Sequence, residues 1–344
     1  MTISFRQTAA CAALCLAAGA AQVQAQEITL KIADVVPPTH FLSQNGTSFY
    51  MEEITRRTDG RVTFEYYPAQ QLGKAKDMLT ILQSGLADIA LVVPSYMSEK
   101  LPLSGVVDLP GGSNSSCEGT RLYSGLLDEG GWLAENEFAA AGVRKAFVYV
   151  NPPYELFVKG NDEADPLDLG GAKIRSTGGA TDLTVRELNG VPIRMAAPEI
   201  RESLSRGTID GMVFPVPTVV AYKLEGLVDS ATRGASLATV ATGYMISDAA
   251  WDRLPEDIRA VMREVGEEAS ERTCAAADSE IKDTYDRMAS EHDVTVIDVT
   301  DDQKSALEKV FTTVRADWAA QLDKRGQPGT GALDAYAAAR KGTN

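Results

Sequence analysis

The chain has 344 residues, 44% of them hydrophobic, with 48 acidic against 33 basic side chains and a formal net charge of −15. That acidity argues against nucleic acid or an anionic membrane surface as a partner, and any anionic ligand has to be held by a local cation. The length exceeds what one hydrophobic core sustains, so two lobes are expected.

The first stretch reads as a secretory signal peptide over residues 1–25. Its start carries one positive charge at Arg6, residues 9–21 are an apolar run, and Val23-Gln24-Ala25 supplies a small-residue cleavage site. Leu14 precedes Cys15 where a lipid-attachment motif wants a small residue. Beyond Gln26 no apolar run approaches the roughly 18 residues of a membrane helix. The expectation is an exported, periplasmic protein with no direct membrane insertion. Cys11 and Cys15 leave with the leader, and Cys117 and Cys274 remain. In an exported protein such a pair is expected to form a disulfide, the alternative being two buried thiols. His40 and His292 stand far apart with no Cys or carboxylate cluster at ligand spacing, so neither a metal nor a cofactor is expected.

Strands and helices then alternate. Residues 28–35 read as a strand, 43–58 as a helix closed by Gly60, 62–67 as a strand, 74–83 as a helix closed by Gly85, and 88–93 as a short apolar strand. Residues 117–141 are helical with an interruption at Gly130-Gly131, and 143–150 form a further strand. The pattern restarts at Asn151, with strands at 154–158, 172–175, 192–195 and 209–214 and helices at 181–188 and 199–205. Residues 236–246 look like a long strand returning to the first lobe. Residues 256–291 have helical periodicity without proline, and about 36 residues at 1.5 Å each span roughly 54 Å, wider than one lobe. A strand at 293–299 and helices at 301–324 and 333–340 follow. The fold class expected is α/β, with lobe I from 26–150 plus about 236–280 and lobe II from 151–235 plus about 281–344.

In an open α/β sheet, small ligands bind beyond the carboxyl ends of the strands. Arg175 ends the strand of Leu169-Gly-Gly-Ala-Lys-Ile-Arg175, and a guanidinium there is a permanently charged fork matched to a carboxylate. The competing reading is an ion pair with Asp168. Phe214 ends the strand after Gly207-Thr-Ile-Asp-Gly211 and is either a pocket wall or a core residue. The loops after the first and third strands offer Phe41 and Tyr96. His40 either hydrogen-bonds a ligand or is a solvated loop histidine, the second being the preferred reading.

Several segments, in order, resemble the extracytoplasmic solute receptors of TRAP transporters, the DctP-like proteins. They are Thr58-Asp-Gly-Arg-Val62 with Tyr67-Pro68 and Gln71-Leu-Gly73; Gln83-Ser-Gly-Leu-Ala-Asp-Ile89 with Pro94 and Tyr96; and Leu169 to Arg175. Asn189-Gly-Val-Pro192, Gly207 to Gly211, Ile246-Ser-Asp-Ala-Ala-Trp-Asp-Arg-Leu-Pro255 and the long helix complete the set. The resemblance implies a periplasmic-binding-protein-like fold: two lobes, a hinge, and a long helix spanning both. It also implies a receptor that closes over a small organic acid, clamps its carboxylate with Arg175, and delivers it to TRAP membrane permease subunits. Two departures bear on the ligand. Val213-Phe214-Pro215 replaces a run in which an asparagine meets the ligand, and Asn151-Pro-Pro-Tyr154 stands where a second arginine is common. Phe214 and Tyr154 in those places suit a monocarboxylate with an aromatic or apolar body. A sensory receptor would use the same chemistry. An exported enzyme is disfavoured, because G-x-S-x-G, H-E-x-x-H, the Walker loop and G-x-G-x-x-G are all missing from the sequence.

Overall fold

The computed structural model describes residues 27–159 and 165–342; the leader expected at 1–25 lies outside them. In chain order the strands are β1 (Ile28–Ala33), β2 (Val62–Tyr67), β3 (Ile89–Val92), β4 (Val143–Val150), β5 (Tyr154–Val158), β6 (Lys173–Ser176), β7 (Val191–Arg194), β8 (Gly211–Pro215), β9 (Ser230–Arg233), β10 (Ala241–Ser247) and β11 (Thr295–Asp298). They form two mixed sheets, ordered β2-β1-β3-β10-β4 and β11-β9-β5-β8-β6-β7. β1 pairs in parallel with β2 and β3, whereas β10 runs antiparallel between β3 and β4. β3 is buried at all four residues, as a central strand covered on both faces must be.

The chain crosses between the lobes at 151–153 and again at 234–240. The two crossings lie side by side, joined by hydrogen bonds from Asn151 N to Val240 O and from Tyr154 N to Ala238 O. A buried carboxylate holds each end of the second crossing. Glu155, on β5, accepts from Thr232 Oγ1 at 2.6 Å and from the Gly234 and Ala235 amides at 3.0 Å each. Asp108, in the first lobe, accepts from Ala241 N at 2.8 Å.

Burial pushes Asp108 up to about 8 and Glu155 up to about 7, and their hydrogen bonds oppose this only in part. A carboxyl raised in this way keeps its proton in the folded chain after the unfolded chain has released it. Its stabilisation is therefore fully present below the unfolded value and is lost as pH rises through the folded one. Asp108→Asn keeps an acceptor for Ala241 N and has no proton to release. Between pH 5 and 8 the wild type should lose stability relative to this variant by up to about 1.4 kcal/mol per pH unit. Chemical denaturation across that range checks it, and parallel curves would mean that Asp108 is ionised in the fold.

The helix Glu256–His292 runs unbroken for 37 residues, so its length is about 55 Å. Ile258, Met262, Val265, Ala269 and Ala277 lie in the core of the first lobe, and Tyr285 and Met288 lie in a core of the second. The helix Ser116–Leu127 packs beside it. Cys117 is bonded to Cys274, and Asp278 accepts from the amides of Ser116 and Cys117 at 2.8 and 3.1 Å. The bridge closes a separation of 157 residues inside the first lobe. Replacing both cysteines by alanine should cost about 2–5 kcal/mol in urea unfolding, with ligand affinity retained because neither cysteine lines the cavity. Unchanged stability would mean that Asp278 and the helix packing alone hold this corner.

The C-terminal helices depart from the expected division at about residue 281. β11 joins the second sheet, and Leu307 and Phe311 of the helix Asp301–Lys324 enter a second-lobe core. Val314, Trp318, Ala319 and Leu322 of the same helix enter the first-lobe core, as do Ala332 and Tyr336 of the helix Gly329–Gly342. The 24 residues of the helix Asp301–Lys324 span about 36 Å and reach both cores. Among the described residues no helix is long and apolar enough to cross a membrane, and no group of three or more His, Cys, Asp or Glu is placed to hold a metal.

Candidate functional site

The carboxyl ends of β1 and β3 in one lobe face those of β6 and β8 in the other, and a cavity of about 50 Å³ lies between them. Its wall is built from both lobes. Val36, His40 and Tyr96 come from the loops after β1 and β3, and Phe214 and Thr218 from the end of β8 and the helix Val216–Ala221 that follows. Tyr222 caps that helix, while Tyr154 and Asn151 mark the crossing.

Arg175 is 0% exposed. Its Nε donates to Met195 O at 3.1 Å, Nη1 to Val213 O at 3.2 Å, and Nη2 to the Tyr96 hydroxyl at 3.3 Å. The guanidinium carbon lies 5.2 Å from the Phe214 ring centre, and its charge and hydrogen bonding act against the desolvation that raises the Tyr154 phenol. Every hydrogen-bond partner is a neutral oxygen. Among the described residues no carboxylate pairs with Arg175. Asp168, the competing partner in the sequence reading, instead accepts from Gly170 N and Asn189 Nδ2. A buried cation without a counterion is costly unless a charge of opposite sign joins it.

The Tyr96 oxygen accepts a second bond, from Ala197 N at 3.1 Å. Ala197 opens the helix Ala197–Ser205, so one oxygen accepts from both a guanidinium and a helix N-terminus. Tyr96 belongs to the first lobe and both donors to the second, which makes this hydroxyl a direct link across the cleft.

The other sequence-derived positions divide. Tyr154, Phe214 and Tyr96 gather around Arg175 and line the cavity. Phe214 is also a core residue, 1% exposed, so both of its alternative readings hold. Phe41 is buried behind the wall, its ring 4.6 Å from His40 and 5.7 Å from Tyr149. His40 is not a solvated loop residue. It is 3% exposed, lines the cavity, and accepts from Leu42 N through Nδ1 at 3.1 Å. Burial pushes the imidazole down to about 3, so the ring is neutral with its proton on Nε2. Sequence reasoning missed Tyr222 and Thr218. The helix they belong to opens directly from β8 with Pro217 in its first turn, a signal that marks the helix start but not which of its residues meet the cleft.

A family model described as bacterial extracellular solute-binding protein, family 7 (DctP), matches residues 32–321. The C4-dicarboxylate-binding periplasmic protein DctP of Rhodobacter capsulatus is 24% identical over 304 residues, 87% of this chain and 88% of that protein. A TRAP solute-binding protein from Rhodoferax ferrireducens, solved with copurified benzoate, has a TM-score of 0.83 at 22% identity and covers 91% of this chain and 98% of its own. A TRAP periplasmic solute-binding protein from Bordetella bronchiseptica, solved with (R)- and (S)-mandelate, has a TM-score of 0.80 at 24% identity, covering 92% and 100%. At such identities the two structures establish a shared fold.

Proposed function

The chain belongs to the bacterial extracellular solute-binding proteins of family 7, and on that premise we propose that it is the periplasmic receptor of a TRAP transporter for a monocarboxylate with an aromatic or apolar body. It captures the acid by lobe closure and delivers it to the membrane permease subunits. The observation that carries this reading is the buried Arg175, which has no carboxylate partner among the described residues and is surrounded by Tyr96, Tyr154 and Phe214. A ligand carboxylate supplies the missing countercharge, and a charge-assisted pair out of water is among the stronger polar contacts. Because the field of an acidic protein repels anions, a single local cation decides which charge is accepted.

No lysine or arginine lines the cavity itself; Arg175 lies directly behind its wall, against Tyr96 and Phe214, and is the one cation so placed among the described residues. That supports one carboxylate per ligand rather than the two implied by the name of the Rhodobacter relative. The benzoate and mandelate held by the two structural neighbours are acids of the proposed kind. The link from Tyr96 to Arg175 and Ala197 supports closure, since an acid at Arg175 touches groups from both lobes and so favours the closed state by its differential contacts.

The test is thermal unfolding of refolded, ligand-stripped protein with benzoate, mandelate, succinate, galacturonate and benzamide. Benzoate or mandelate at a hundredfold excess over Kd should add about 2.7 kcal/mol of apparent stability, with succinate and benzamide inert. Preference for succinate or galacturonate would overturn the aromatic reading. A response to benzamide equal to that with benzoate would overturn the carboxylate clamp.

A further inference from the structure

We propose that His40 is a specificity-determining residue: its Nε2–H donates to a neutral oxygen, a hydroxyl or carbonyl, at the end of the ligand remote from the carboxylate. This rests on the monocarboxylate reading of the site and narrows its ligand class to acids that carry such a group.

Three observations converge on it. The first is an unsatisfied donor. Nδ1 is occupied by the Leu42 amide, so the neutral ring has its N–H at Nε2, and among the described residues that atom makes no hydrogen bond. His40 is 3% exposed and lines the cavity, and Nε2 is not among the fully buried unpartnered polar atoms, so its N–H opens onto the ligand space. A donor that a bound ligand removes from water is destabilising without an acceptor, which makes an acceptor on the ligand valuable.

The second is placement. The Phe214 ring centre lies 5.2 Å from the Arg175 guanidinium, Tyr222 lies 6.3 Å from Phe214, and His40 lies 5.8 Å from Tyr222. Two aromatic rings, Phe214 and then Tyr222, thus stand in succession between the cation and the imidazole, with His40 contributed by the first lobe and the rest by the second. Phe41 packs at 4.6 Å behind His40, and the Leu42 bond fixes the ring plane.

The third is the company His40 keeps. Thr218 Oγ1 is buried, has no hydrogen-bond partner, and belongs to the same cavity wall. A hydroxyl is the group that satisfies both, accepting from His40 Nε2–H and donating to Thr218 Oγ1. No charged side chain lines this end of the cavity, so the group recognised is neutral. A site built to hydrogen-bond a hydroxyl discriminates strongly against the analogue lacking it, because its own polar atoms are then left unpaired.

The experiment is titration calorimetry of refolded, ligand-stripped protein with benzoate, 3-hydroxybenzoate and 4-hydroxybenzoate, on wild type, His40→Phe and His40→Ala. His40→Phe keeps a ring against Phe41 and Tyr222 while removing the donor. The wild type should bind the better hydroxybenzoate about tenfold or more tightly than benzoate. In His40→Phe that ratio should fall to about one. His40→Ala should lose the same preference, which separates loss of the donor from any effect of the larger ring. Equal affinity of wild type for all three acids, or a preference that survives in both variants, would overturn the role of His40 and leave the carboxylate clamp standing. No response to any of the three acids would overturn the clamp itself, and this inference with it.

Discussion

Arg175→Met is expected to lower the affinity for the best-bound carboxylate by about a thousandfold or more while leaving the ligand-free protein as stable as wild type, or more so. The two halves of this result have one cause. The guanidinium is fully buried against neutral oxygens of Met195, Val213 and Tyr96, so its charge is desolvated without an ionic partner from the protein. Methionine fills much of the same volume without that penalty, and replacing a buried charge by a packed apolar side chain is often neutral or stabilising. With the acid bound the sign reverses, because the ligand carboxylate is then the buried charge left unpaired. Arg175→Lys should fall between the two. It keeps the charge but loses the planar fork that Met195 O and Val213 O hold in position. Calorimetry with benzoate or mandelate, alongside urea unfolding of the stripped protein, reads both halves. Binding retained within tenfold in Arg175→Met would move the anion site elsewhere.

Much of this candidate site is visible in the sequence because it sits on local signals. Arg175 and Phe214 lie at the ends of strands announced by turn glycines, and β4 and β5 occupy the very residues that their apolar runs suggest. The long helix and the pairing of Cys117 with Cys274 are likewise legible, the first from periodicity and the second from export and parity. What escaped detection depends on contacts distant in sequence. His40 looks solvated in Pro37-Pro38-Thr39-His40 and is buried, with Phe41 beside it and Tyr222 of the other lobe against it. The carboxylates Asp108 and Glu155 sit in ordinary sequence surroundings, and their partners are the crossing backbone 133 residues further on in one case and 79 to 80 in the other. The division of the helix Asp301–Lys324 between two cores follows from where each face lands, which periodicity cannot give.

Gly266 shows how a local rule can invert in tertiary context. In the sequence it is the weak point of the long helix, and in an exposed helix interior glycine to alanine stabilises by about 1 kcal/mol. Here a Cβ on Gly266 would fall far inside the contact distance of Ala146 O, on the backbone of β4. The pairing of β10 with β4 steps from Tyr244 opposite Phe147 to Met245 opposite Lys145, so Ala146 is the residue left over at a bulge. The helix cannot simply retreat from this contact. Ser270 Oγ accepts from Val148 N at 3.0 Å and donates to Gly266 O at 2.8 Å, stitching helix to strand one turn away. Gly266→Ala should therefore destabilise by about 1–3 kcal/mol, the overpacking cost exceeding the propensity gain. Gly125, in the helix Ser116–Leu127, is solvent-exposed, and a Cβ added there would meet nothing within 4 Å, so Gly125→Ala should stabilise by up to about 1 kcal/mol. Urea unfolding of the pair measures a difference in sign rather than in size. Stabilisation by both substitutions would mean that the long helix stands off β4, and that the first lobe is held to its spine by the disulfide and Asp278 instead.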